Sequence, residues 1–153
     1  MKMDKMRRLL VPLNGGRGDI RLLDAIGSLC MDGISRITLV YVVEVPMTMP
    51  LDAEMPLQID RAERVLALGE AKLREKLKSC DAIVLTELLQ ARSAGSAICD
   101  SAEDHQVDSI VMATQKRTQH GIISYGESVE HVLKYAQAEV IVIRLASIDE
   151  SEQ

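Results

Sequence analysis

Apolar runs of strand length alternate with segments of helical spacing along the whole chain, and few architectures accept that pattern. Arg7-Arg8-Leu9-Leu10-Val11-Pro12-Leu13 reads as a buried strand, followed by the Gly-rich turn Asn14-Gly15-Gly16-Arg17-Gly18. Asp19 fits the N-cap of a first helix, because a carboxylate there accepts from free backbone N–H groups. Leu22, Leu23, Ile26, Leu29 and Cys30 form its apolar stripe and Gly33 ends it. Ile37 to Val43 is a second strand, and Ile59, Leu66, Leu73 and Leu77 mark a long amphipathic second helix. Ala82 to Leu89 is a third strand, and a third helix begins near Ser96. Ser109 to Ala113 is a fourth strand, a polar loop runs to Gly126, and Val129, Val132, Leu133 and Ala136 have helical spacing. Val140-Ile141-Val142-Ile143 is the fifth strand. Strands buried on both faces and separated by helices require a parallel sheet with right-handed crossovers and helices on both sides, an α/β fold. Ligands of such sheets bind outside the carboxyl ends of the strands, which here means the segments after Leu13, Val43 and Ala113.

A length of 153 residues suits one domain, with an ordered core expected over about 7–145. No apolar run approaches the ~20 residues of a membrane span. The opening Met1-Lys2-Met3-Asp4-Lys5-Met6 is too charged for a signal peptide, so a cytoplasmic protein is expected. Cys30, Cys80 and Cys99 lack the close pairing of a disulfide framework or zinc site, and Cys30 and Cys99 read as small hydrophobes. A net charge of −5, with three tyrosines and no Phe or Trp, argues against nucleic-acid binding. No membrane partner is expected either.

Several stretches carry two readings. Glu44 to Pro56 holds three of the four prolines with Met47, Met49 and Met55. It reads as a mobile loop partly packed over the sheet, or as an adaptable apolar contact surface. Gly16-x-Gly18-x-x-Arg21 imitates the dinucleotide fingerprint but has Arg in place of the third Gly, so a tight turn is the plainer reading. Lys116, Arg117 and His120 gather cations after the fourth strand, either as solvated loop charge or as a seat for an anion. His131, beside Glu130, reads as a surface residue, and no catalytic constellation stands out.

Val11-Pro12-Leu13-Asn14-Gly15, Asp108-x-Ile110-Val111-Met112 and the run Gly126 to Ile143 resemble the universal stress protein family, over nearly the whole chain in element order and spacing. That resemblance implies the strand order 3-2-1-4-5. Its ATP-binding members carry G-x2-G-x9-G-(S/T) after the fourth strand. Here the same spacing reads Ala113-x2-Lys116-x9-Gly126-Glu127, keeping one of the four motif residues. The implied nucleotide site, in degenerate form, comprises Pro12, Asn14, Val42, Ala113, Lys116, Gly126 and Glu127. Asn14 stands where the family has Asp, and Glu127 puts a carboxylate where a hydroxyl would meet phosphate. Two unit charges about 4 Å apart repel by roughly 4 kcal/mol at an effective dielectric near 20. Glu127 also fits a capping box, Ser124-Tyr125-Gly126-Glu127.

The resemblance therefore implies a regulatory or interaction module of the stress response, acting with an unknown protein partner and not as an enzyme. No cofactor is expected, with ATP or AMP disfavoured. The alternative is a nucleotide or small anion held by Lys116 and Arg117. It further implies a homodimer through Val140, Ile141, Val142 and Ile143, the fifth strand pairing antiparallel across a two-fold axis. A two-fold perpendicular to the sheet preserves its faces, so Ile141 would meet Ile141 or Ile143 of the other chain. Glu139 and Arg144 differ in parity and would not oppose each other.

Overall fold

The structure, a computed structural model, describes residues 7–29 and 33–147. In chain order the elements are β1 (Arg7–Pro12), α1 (Gly18–Leu29), β2 (Ile34–Glu44), α2 (Pro56–Lys76), β3 (Ile83–Ala91) and α3 (Ala94–Asp104). Then follow β4 (Ser109–Thr114), β5 (Arg117–Gln119), β6 (Ile122–Ser124), α4 (Glu127–Tyr135) and β7 (Glu139–Arg144). The main sheet has the order β3-β2-β1-β4-β7 with every pair parallel, so the expected fifth strand is β7 and the topology is the expected one. Cys30 and the residues beyond 147 lie outside the described residues, as does the segment preceding Arg7.

Strand parity divides the core between the two faces. Leu9, Val11, Ile37, Leu39 and Val111 pack with Leu22, Leu23, Ile26, Leu66 and Leu73 of α1 and α2. Leu10, Val40, Ile110 and Met112 pack with Ile98, Ala102, Val129 and Val132 of α3 and α4. Burying each such aliphatic side chain contributes about 1.5–3 kcal/mol, so both helical layers are tied firmly to the sheet. Leu133, expected in the apolar stripe of α4, is instead exposed. No helix among the described residues is long and apolar enough to cross a membrane.

Residues 45–55 are less loose than their prolines suggest. Val45 and Met55 are buried with Val43 and Ala62, and Met49 packs on them. The Arg92 guanidinium donates to the carbonyls of Pro46 at 2.5 Å and Met49 at 2.7 Å. The Gln90 amide donates to the carbonyls of Leu51 at 3.3 Å and Ala53 at 3.1 Å. Two side chains at the end of β3 thereby satisfy carbonyls that the prolines keep out of regular structure.

The segment read as a polar loop up to Gly126 contains a two-stranded antiparallel hairpin, β5–β6, registered Arg117↔Ser124 and Gln119↔Ile122. His120 (φ 52°) and Gly121 (φ 75°) form its two-residue turn, the pair of left-handed residues that matches the twist of flanking strands. Three-residue strands give too short a period-2 signal to be read in sequence. α3 begins earlier than expected: Ser93 is its N-cap, its side chain accepting from the Ser96 backbone N–H.

Candidate functional site

β1 and β4 are neighbours at the point where the strand order reverses, and they diverge towards their carboxyl ends. Their register covers Leu9↔Ser109 and Leu10↔Ile110, whereas β1 stays paired with β2 as far as Pro12↔Val40. The opening receives the Gly-rich turn and the start of α1. A Cβ added at Gly18 would lie 3.3 Å from Ala113 Cβ and 3.3 Å from Leu145 Cδ1, so the methyl of Ala113 packs beneath α1. Its Cβ fills space within the fold and does not project into the loop that follows β4.

The turn closes on itself. The Asp19 carboxylate accepts from the backbone N–H of Asn14 at 3.2 Å and of Gly15 at 2.8 Å. Asn14 Oδ1 accepts from the Gly16 N–H at 2.8 Å. Asp19 is therefore not the N-cap expected of it. The helix starts at Gly18, and Asp19 reaches back from the first turn over the loop. Burial pushes its carboxyl above the usual carboxylate range, against the pull of the two backbone donors. An acid of the chain itself thus occupies the two amides that open the Gly-rich turn at the crevice.

A second acid-bearing helix start faces the same opening. Gly126 is the N-cap of α4 with φ 97° and ψ 146°, a conformation open in practice to glycine alone. That turn puts Glu127 at the first helical residue, exposed, and too early for the expected capping box. Glu130 takes the reaching-back role, its Oε1 accepting from the Tyr125 N–H at 3.3 Å, while Ser124 Oγ accepts from the Gly126 N–H at 3.2 Å. The first turn of α4 therefore carries two carboxylates. Thr114 is buried and its hydroxyl donates to the Tyr125 carbonyl, clamping the two ends of the β5–β6 excursion together.

Of the residues singled out in the sequence, Pro12, Val42 and Ala113 stand at or just short of the carboxyl ends of β1, β2 and β4, and Asn14 lies two residues beyond the end of β1. Val42 packs on the face of α3 and α4, and Ala113 on that of α1 and α2. Lys116 is exposed between β4 and β5, Gly126 and Glu127 open α4, and Arg117 begins β5. His120 does not gather with the two cations: the hairpin carries it to its tip, about 10 Å along an extended strand from Arg117. The cations nearer the turn were not legible. With the Gln115 amide oxygen facing it, Arg17 donates from Nε at 2.8 Å and Nη2 at 3.1 Å. Arg61 of α2 lies over Gly15, its Nη2 3.1 Å from where a Cβ would be. His131 is half-buried, not a surface residue: it packs on Gly95 of α3 and its ring centroid lies 4.6 Å from that of Tyr135. No group of three or more His, Cys, Asp or Glu among the described residues is placed to hold a metal ion.

A family model described as the universal stress protein family matches residues 5–144. Among solved structures, a universal stress protein from Archaeoglobus fulgidus superposes with a TM-score of 0.73 at 18% identity, covering 90% of this chain and 98% of that one. One from the same organism in complex with dAMP gives 0.67 at 17% identity, covering 92% and 99%. An Arabidopsis thaliana family protein with AMP bound gives 0.62 at 14% identity, covering 92% and 93%. At such identities the likeness is one of fold. A comparison with curated proteins finds no match.

Proposed function

The chain belongs to the universal stress protein family, and we propose that within it this protein is a regulatory interaction module that does not hold ATP through the glycine motif. One observation carries the reading: both helix starts at the crevice bear the chain's own acids, Asp19 on α1 and Glu127 with Glu130 on α4. A helix N-terminus attracts phosphate through free amides and a positive dipole end. Carboxylates placed there already complement the positive dipole end and repel a second anion. The β5–β6 hairpin adds to this, because regular pairing replaces the flexible backbone that a glycine-rich phosphate loop supplies. The reading extends to a homodimer through β7, an edge strand whose Ile141 and Ile143 face the α1–α2 side and Val140 and Val142 the other. It also places the protein in the cytoplasm and assigns it no catalytic activity.

Calorimetry with ATP and magnesium, and separately with AMP, tests the proposal. Binding should be no tighter than about 100 μM, which corresponds to roughly 5.5 kcal/mol. Lys116→Gly with Glu127→Ser should strengthen it, whereas Ala113 is left in place because its methyl supports α1. Low-micromolar binding by the unmodified protein would overturn the reading. It would favour a second one, in which the exposed pair Lys116 and Arg117 at the hairpin base holds the phosphate in place of backbone amides.

A further inference from the structure

The edge of the sheet opposite β7 carries a groove that the crevice does not explain. β3 pairs with β2 on its inner side, and no strand among the described residues pairs with its outer side. Between β3 and α3 lies a cavity of about 370 Å³, within the range of pockets that take ligands. Its β3 wall is Glu87, Leu89 and Ala91, which alternate along the strand and so share one face. Its α3 wall is the i, i+4, i+8 ridge of Ser96, Asp100 and Asp104. A groove with a free strand edge on one side and a helix on the other is a geometry into which extended peptides add as a further strand.

The charge of the groove says what kind of segment fits. Glu87, Asp100 and Asp104 supply three carboxylates, and the basic lining residue, Arg92, has its guanidinium committed to the carbonyls of Pro46 and Met49. The acidic field reaches Cys99, whose thiol is held above its usual range by burial first and then by Asp100 and Glu103. Glu87 itself is fixed: Ser101 Oγ donates to it at 2.8 Å and His105 Nε2 lies 2.5 Å from its other oxygen. Beyond Glu87, towards the start of the strand, the same face continues past the end of α3 as an apolar shelf, with Leu85 39% and Ile83 53% exposed.

We propose that this groove takes an extended segment of a partner protein, added antiparallel to β3, with a basic side chain towards Glu87, Asp100 and Asp104 and apolar side chains two and four residues later over Leu85 and Ile83. Alternate residues of a strand stand about 6.8 Å apart, which is the spacing of Glu87, Leu85 and Ile83 along β3. A second copy of this chain is a poor occupant. A two-fold axis at this edge preserves faces, so Glu87, Asp100 and Asp104 of one copy would meet the same acids of the other, in a chain of net charge −5. The proposal deepens the reading of the protein as an interaction module by naming the surface and the chemistry of the partner.

Fluorescence polarisation with a pool of blocked, labelled peptides Ser-Arg-Thr-Φ-Thr-Φ-Ser, where Φ is Val, Ile or Leu, tests it on the full chain. Saturable binding is expected, at least tenfold weaker for the double variant Asp100→Lys/Asp104→Lys and for peptides with Glu in place of Arg. Asp100 and Asp104 are exposed, and circular dichroism checks that the variant folds. Leu85→Lys, on the shelf and outside the acidic ridge, should weaken binding independently. Absence of saturation below about 1 mM, or equal affinity for the parent and both variants, overturns the proposal. So does self-association of the protein that Asp100→Lys/Asp104→Lys abolishes, which would make the occupant a second copy. Tight ATP binding together with normal peptide binding would sink the nucleotide-independent reading and leave the groove standing.

Discussion

Gly95→Ala should loosen the contact between α3 and α4, which sets both the groove wall and the start of α4 at the crevice. Gly95 is buried, and a Cβ there would lie 2.7 Å from His131 Cβ, 2.9 Å from Cγ and 3.1 Å from Cδ2. Carbon atoms in ordinary contact sit about 3.5–4.0 Å apart, so the helices must part by roughly 1 Å. His131 Cβ is fixed to the α4 backbone and cannot swing away as a side-chain tip would. Overpacking of this kind costs about 1–3 kcal/mol. Alanine returns about 0.5–1 kcal/mol in a helix interior, and less at the second residue of α3, where this position lies. The net expectation is a loss of about 1–2 kcal/mol, which lowers the melting temperature by roughly 2–8 °C in a domain of this size. Urea denaturation of the parent, Gly95→Ala, His131→Gly and the double variant closes the cycle. In the His131→Gly background, which lacks the opposing Cβ, Gly95→Ala should cost nothing or stabilise. A Gly95→Ala protein as stable as the parent would refute the packing argument, as would a full penalty that persists in the double variant.

Two further outcomes follow from the sheet edges. Replacing Ile141 with Lys should shift a dimer near twice 16.9 kDa towards monomer in light scattering after size exclusion, and a parent that is monomeric at tens of micromolar would contradict the proposed β7 interface. Glu139 is held below its usual value of 4.5 by the hydrogen bond from Arg7 first and that from Ser109 next, so its stabilising contribution is present above pH 4.5 and lost as pH falls through its lowered value. Glu139→Gln should therefore flatten that part of the acid limb in a stability–pH profile, and an unchanged limb below pH 4.5 would contradict the assignment.

The sheet was legible because parallel strands buried on both faces spell themselves out as continuous apolar runs: Leu9 to Val11, Ile37 to Val40 and Ile110 to Met112 are all buried. Helix starts were less so. Asp19 and Glu127 both have the residue type of a cap, but capping depends on where a single backbone torsion turns the chain. Gly126 at φ 97° is the N-cap, so α4 starts at Glu127 itself and the reaching-back role falls to Glu130, which no short motif anticipates. The hairpin was hidden for a related reason: its turn is His120-Gly121, with His120 at φ 52°, in place of the Asn-Gly or Asp-Gly pair that marks such turns in a sequence. The anchoring of residues 45–55 depends on Gln90 and Arg92, some 40 residues away in sequence, and long-range side-chain to carbonyl bonds leave no periodic signal. The groove beside β3 was unreadable too, because it exists through the pairing of a strand face with a helix ridge that sequence does not place side by side.

An open parallel sheet has two edges, and this chain gives them opposite characters. At β7 the four central residues are apolar and half-buried, alternating between two apolar clusters, while the flanking Glu139 is already engaged by Arg7 and Ser109. A like edge meeting it across a two-fold axis brings apolar side chains together and opposes no unmatched charge. At β3 the central residue of the face towards α3 is Glu87, and the neighbouring helix adds Asp100 and Asp104. The same symmetric pairing there would oppose like charges, several of them close together. Unpaired strand edges attract one another indiscriminately unless something discriminates between them. On the proposals above, polarity is what discriminates: the apolar edge selects a second copy of the chain, and the acidic edge repels one and stays open to a basic strand from elsewhere. If both hold, dimerisation through β7 leaves two β3 grooves at the far ends of one continuous ten-stranded sheet, twice the five strands of each copy. Disrupting the dimer with Ile141→Lys should then leave the affinity of each groove for its peptide unchanged, because the two edges share no side chain.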